Sequence, residues 1–151
     1  MYMIGKIWQV QLGANHTPYA HVDFKRSRDH VDGYTVVTVD VDRFMTCFER
    51  DTLAIQRSTN WTQEKFECIR DFLDPKGGAC DMPVIGFSMR TVEHRRLWGF
   101  LSPRIEMVLV AGFTNGRHRA RYLQYAGATI MPVEVHESQA VLLRKHCGAD
   151  M

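Results

Sequence analysis

Apolar and polar residues alternate over Ile7-Trp8-Gln9-Val10-Gln11-Leu12, a two-residue period that predicts a strand, and Gly13-Ala14-Asn15 turns the chain after it. Residues 13–33 are polar and read as loops around one short strand at 20–24. The β-branched run Tyr34-Thr35-Val36-Val37-Thr38-Val39-Asp40-Val41 predicts a second strand, and 42–48 a helical turn leading into a loop. Phe66, Ile69, Phe72 and Leu73 recur at helical spacing, which predicts a helix over 61–73 with Asn60 and Gln63 as its capping box. Asp74-Pro75-Lys76-Gly77-Gly78 stops it. A strand is expected at 82–88, a basic helix at 91–101 with Val92, Leu97 and Phe100 inward, and a strand at 105–113. A helix over 117–126 closed by Gly127, a strand over 129–135 with Pro132 at an edge or strand start, and a helix over 138–146 complete the pattern. The expected fold class is α+β, with a small mixed sheet flanked by helices. Expected boundaries are an N-terminal strand-and-loop extension (1–33), one domain (34–146) and a tail (147–151).

The net charge of +2 hides an asymmetry. Between Val84 and Arg121 stand seven arginines (90, 95, 96, 104, 117, 119 and 121), no lysine, and only Glu93 and Glu106 as acids. The planar fork of arginine suits bidentate recognition of phosphate, so this segment points to a phosphate-rich partner, against a plain solvated basic face. Trp98 and Phe100 between its charges are either core residues or stacking surfaces for single-stranded bases. Cys47, Cys68, Cys80 and Cys147 form no CxxC pair, which argues against a zinc site or a disulfide framework. No signal-peptide pattern and no long apolar run is present, so a soluble cytoplasmic protein is expected.

The richest stretch is Gly112-Phe113-Thr114-Asn115-Gly116-Arg117-His118-Arg119-Ala120-Arg121. An apolar strand, a glycine turn and a helix opening with three cations and a histidine form an anion-binding arrangement, because free N–H groups and the helix dipole meet there. Arginines oppose that dipole in the first turn, and a bound phosphate would resolve the conflict. His118 is the candidate general acid or base, with its pKa held low by the cations beside it. Arg119 is the candidate clamp on the reacting phosphate; Asn115, Gly116, Arg117 and Arg90 are further phosphate contacts; Arg95, Arg96 and Arg121 are candidate nucleic-acid contacts. Hydrolysis also needs a base or a metal such as Mg²⁺, for which Asp51 and Glu93 are the preferred carboxylates, ahead of Glu49 and Glu134. The identity of any metal ligand stays open. No Walker A sequence is present.

Gly116-Arg117-His118-Arg119, then Gly127, then Pro132-Val133-Glu134-Val135, preceded by a helix and Met82-Pro83-Val84-Ile85, resembles the ParB/sulfiredoxin superfamily over about 34–146. Arg117 stands where sulfiredoxins carry their catalytic cysteine, and Asn115 where serine kinases of the superfamily carry an aspartate. The 151 residues show no helix-turn-helix signal of the chromosome-partitioning branch. What remains is similar to the small plasmid fertility-inhibition proteins of the Osa and FiwA type. That resemblance implies a block on conjugative or T-DNA transfer, DNA and the coupling protein or relaxosome as partners, and ATP with a divalent metal as ligands of an ATPase or DNase. Asn115 leaves a second reading open: a catalytically inactive module that binds nucleotide, DNA or the coupling protein and blocks transfer sterically.

Overall fold

The computed structural model describes residues 1–51, 58–94 and 104–149. Two four-stranded sheets and four helices are built from strands β1 (Tyr2–Ile4), β2 (Ile7–Gln11), β3 (His21–Lys25), β4 (Tyr34–Asp40), β5 (Cys80–Asp81), β6 (Val84–His94), β7 (Arg104–Asn115) and β8 (Ile130–His136). The helices are α1 (Val41–Phe48), α2 (Gln63–Phe72), α3 (Arg117–Tyr125) and α4 (Glu137–Cys147). The first sheet has the order β1-β2-β3-β5 and the second β4-β8-β6-β7. The mixed α+β class expected from the pattern is what forms.

The first sheet joins the N-terminal strands to the rest of the chain. β2 pairs antiparallel with β3, and β3 pairs parallel with β5 at Phe24↔Cys80 and Lys25↔Asp81. Val10, Val22 and Phe24 are buried in the same apolar cluster as Val37, Val39, Met131 and Val133 of the second sheet. The β1–β2 hairpin around Gly5 was not legible in the alternation; its strand is three residues long, with Met3 and Ile4 exposed.

The second sheet carries the corrections to the pattern. Residues 91–94, expected as the start of a basic helix, extend β6, which pairs antiparallel with β7 from Val84↔Asn115 to His94↔Arg104. Cross-strand pairing outweighs the helical spacing of a few apolar positions, and Val92 is exposed on the ribbon rather than inward. The rest of that expected helix, with Leu97, Trp98 and Phe100, lies outside the described residues. Pro132 is in a central strand, opposite Thr38 of β4. It fits because Glu134 directs its N–H to the Pro83 carbonyl, so Pro132 two residues earlier turns its ring toward β6 before that strand begins.

Helix ends follow local chemistry. Asp40 caps α1 by accepting from Arg43 N at 2.9 Å, and Thr62, not Asn60, caps α2 by accepting from Lys65 N at 3.3 Å. Asn60 is instead in a 3₁₀ turn, Ser58–Asn60. On α2 Leu73 is buried at the C-cap while Phe72 is exposed, so the expected apolar face is rotated away from Phe72.

Glu134, considered above as a site carboxylate, is fully buried and structural. It accepts from Arg26 Nε at 2.8 Å, Ser27 N at 2.6 Å and Arg28 N at 2.9 Å. Three donors on one carboxylate compensate its burial and pin the 26–28 loop to β8.

Candidate functional site

β7 ends in a bulge. Val84 pairs with Asn115 and Ile85 with Phe113, which leaves Thr114 as the extra residue and bends the strand just before Gly116. Gly116 then opens α3 at φ +89° and ψ +10°, with no side-chain cap on the helix. A Cβ there would lie 2.8 Å from Pro83 Cα, so the position requires glycine both for its left-handed backbone and for its packing on the residue before β6. The same tight turn presents the start of α3, with Arg117, His118 and Arg119 in its first turn and no acidic residue there.

A cleft of about 670 Å³ lies over this turn. Its walls are Phe113 to Arg119 on one side, Cys68, Ile69 and Phe72 of α2 on another, and Asp81 of β5. Its electrostatics follow from how each cation is held. Arg117 is exposed at the mouth. Arg119 is buried: Nη1 donates to the Asp81 carbonyl, and Nη2 donates to Asn115 Oδ1 at 2.7 Å. It is thus a strut joining α3, β5 and the end of β7, rather than a guanidinium with both arms offered to a ligand. Asn115 orients it across one helical turn. Arg121 is buried with Nη1 3.2 Å from Glu49 Oε1 and its guanidinium 5.2 Å from the Phe48 ring centroid, which corrects its expected role as a nucleic-acid contact. Two of the three arginines that oppose the helix dipole therefore have partners within the fold.

His118 lines the cleft with its ring 5.6 Å from that of Trp61. Burial, and then the positive charges of Lys65 and Arg117, hold its pKa below the ordinary 6.5, so the imidazole is neutral at pH 7. Arg117 was foreseen as a cause; burial and Lys65 come from packing against α2. Lys65 also stands over the Trp61 ring at 5.3 Å. Trp61, Lys65, Cys68 and Asp81 all belong to the surroundings of the cleft, and no spacing in the sequence connects them to Gly116.

The other expected residues are elsewhere. Glu93 pairs with Ile105 far along the β6–β7 ribbon, nine residues from Val84, the partner of Asn115. At roughly 3.3 Å per residue it stands about 30 Å from the glycine turn. Asp51 lies over Gly112, in a neighbouring cleft of about 440 Å³ with Gly86, Ser88, Arg90 and Gln139. There Arg90 Nη1 is 3.8 Å from Asp51 Oδ1, so these two pair with each other rather than with His118. Phe113 and Thr114 line both clefts. Arg95 and Arg96 lie outside the described residues. Asp81 is the one carboxylate residue that lines the glycine-turn cleft among the described residues. Among the described residues no group of three or more histidines, cysteines or carboxylates gathers as metal ligands, and no helix is long and apolar enough to cross a membrane.

A small α+β domain with a glycine-turn cleft at the head of a buried helix is the class that this geometry defines. The model of the plasmid fertility inhibition factor family matches residues 36–148, and the chain belongs to that family. Among solved structures it is similar to the oncogenic suppression activity protein, described as a plasmid fertility inhibition factor and solved as a gold(I) cyanide derivative. The TM-score is 0.65 at 13% identity, over 95% of this chain and 70% of that one, a likeness of fold. No curated protein matches the chain. Fertility inhibition, the role the resemblance implied, is thus the role of the family, and it implies contact with the conjugation machinery.

Proposed function

We propose that this protein inhibits plasmid transfer through a nucleotide-phosphate site in the Gly116 cleft, binding ATP or a DNA phosphate and thereby occupying a component that transfer requires. The observation that carries this reading is the combination at one helix start: a glycine-tight turn, an uncapped N-terminus, exposed Arg117 and neutral His118, around a cleft large enough for a nucleotide. Arg117 meets the phosphate from the mouth. Arg119, held by Asn115 and the Asp81 carbonyl, keeps the turn in shape and adds positive potential beneath it.

Asp81 favours the hydrolytic reading as an alternative. Asp81 lines the cleft together with His118, and its side chain is about half exposed, with Lys25 Nζ at 3.9 Å. Mg²⁺ is held typically by one or two carboxylates together with substrate phosphates, so Asp81 fits as its protein ligand. When bound, the ion would neutralise charge on the phosphates. His118, neutral at pH 7, would accept the proton of an attacking water.

The test is nucleotide binding and ATP or plasmid-DNA turnover by wild type, Arg117→Ala, His118→Ala and Asp81→Asn, with and without chelator. Binding lost in Arg117→Ala at unchanged melting temperature supports the site; undiminished binding refutes it. Turnover lost in His118→Ala and Asp81→Asn while binding persists selects hydrolysis, and absence of turnover with binding selects steric inhibition.

A further inference from the structure

The opposite end of α3 carries a second concavity that the phosphate reading does not use. The loop between β2 and β3 crosses the end of the helix and encloses about 420 Å³ against Phe66, Arg70, Tyr122 and Tyr125. The loop is firmly fastened. Leu12 N donates to Ala20 O at 2.9 Å, Gly13 N to Ala126 O at 2.8 Å and His16 N to Gly13 O at 3.0 Å. The two nitrogens of His16 lie 2.8 Å from the Tyr19 carbonyl and from Tyr122 Oη, and Tyr19 Oη donates to the Arg70 carbonyl at 2.7 Å. Gly127 at φ +78° lets the backbones of helix end and loop meet, since a Cβ there would lie 3.0 Å from Gly13 Cα. A polar surface loop this constrained forms a cavity whose shape exists before any ligand arrives, which lowers the entropic cost of binding.

The wall is aromatic. Phe66, Tyr122 and Tyr125 form a triangle with centroid separations of 5.0, 5.3 and 5.9 Å, and Tyr125 is 52% exposed. A half-exposed ring beside two packed rings offers a stacking face. Charge narrows the ligand. Arg70 on the wall disfavours a cation. Asp71, 2.9 Å from Arg70 Nε, together with Glu67 and the negative end of the α3 dipole, disfavours an anion. A neutral planar ring remains, and the same negative helix end selects a ring edge that donates hydrogen bonds.

We propose that the cavity between the Gly13–Pro18 loop and the C-terminal end of α3 is a site for a nucleobase carrying an exocyclic amino group. The base stacks on Tyr125 and turns its amino edge toward the helix end. This site is separate from the Gly116 cleft, which lies at the start of the same nine-residue helix, about 13 Å away at 1.5 Å per residue.

The test uses phosphate-free nucleosides, so that it is independent of the phosphate site. The ¹⁵N-labelled full chain is titrated with adenosine against inosine and cytidine against uridine, pairs that differ in having an amino or a carbonyl group. Saturable amide shifts at Gly13, Asn15, His16 and Gly127, tighter for the amino members, are expected. Tyr125→Ala weakens them about tenfold, the scale of one base–aromatic stack. Tyr125→Leu, which keeps apolar bulk for folding, weakens them as well. No saturable shift at these amides, shifts confined to residues 114–119, unchanged affinity in both variants, or equal affinity for amino and carbonyl partners each overturns the proposal.

Discussion

Arg119 Nη2 donates to Asn115 Oδ1 at 2.7 Å across the first turn of α3, while Nη1 of the same guanidinium donates to the Asp81 carbonyl. One side chain thus closes the end of β7, the start of α3 and β5 into a single unit. Its first consequence is for stability. Arg119→Ala leaves the part-buried Asp81 carbonyl and the Asn115 side-chain amide without their charged donor, at a cost of about 3 kcal/mol. The expected fall in melting temperature is roughly 6–12 °C for a chain of this size. A thermal melt unchanged within about 2 °C would contradict the strut role. Loss of ligand binding in this variant alone would therefore say little about phosphate contact, whereas Arg117, exposed at the cleft mouth, separates the two.

Gly116→Ala tests the turn itself. The residue sits at φ +89°, and the new methyl would lie 2.8 Å from Pro83 Cα. Backbone strain of order 1–3 kcal/mol adds to the overlap. Reduced denaturation midpoint together with lost nucleotide binding is the expected pair of results. A variant as stable as the wild type would show that the turn tolerates a Cβ.

His118 makes a pH prediction. Its folded-state pKa is held below 6.5 by burial and by Lys65 and Arg117, so between the two values the unfolded chain binds more protons than the folded one. Its contribution to stability therefore falls as pH is lowered through about 6.5, and the loss is complete below the folded pKa. His118→Gln removes this component of the pH dependence. NMR titration of the ring should give a midpoint below 6.5 in the free protein, moving upward when inorganic phosphate occupies the cleft. A midpoint at or above 6.5 without phosphate contradicts the assignment.

Thiol chemistry reports on the same cleft. Cys68 is exposed on α2 and lines it, whereas Cys47, Cys80 and Cys147 are buried. Burial pushes the Cys80 thiol up to about 11. Cys47 is lowered by its contact with Cys147 Sγ at 3.9 Å, but both lie in the core. Iodoacetamide should modify Cys68 first and the other three only on unfolding, and ATP should slow the Cys68 reaction. Peptide mapping that finds Cys68 no faster than Cys80, or an unaltered rate with saturating ATP, contradicts the placement.

Local signals in the sequence were strong where local physics decides. Gly116 could be placed at a strand-to-helix turn because a left-handed residue is needed there, and β4, β7, α3, β8 and α4 emerged from periodicity and stop residues to within a few positions. The direction of the His118 shift was legible only in part: Arg117 is a chain neighbour, but the larger causes, burial and Lys65, come from packing against α2. The β6 ribbon was not, because residues 91–94 take their conformation from pairing with Arg104–Met107 across the chain.

What the sequence by itself determined was the α+β class, the order of most of the larger elements and the chemical kind of the turn: strand, glycine, cationic helix start. What only the tertiary structure decided was which charges remain available. Arg119 and Arg121 read as ligand contacts in one dimension, yet Asn115, Asp81 and Glu49 engage them, and Glu134 serves the 26–28 loop. Asp51 and Glu93 are separated from His118 by sheet geometry, while Asp81, Lys65 and Cys68 are brought to the cleft from distant positions. Spacing along the chain sets only what neighbours within a turn or a strand can do. The partner of a charge is fixed by how sheets and helices pack, and burial makes that pairing energetically compulsory.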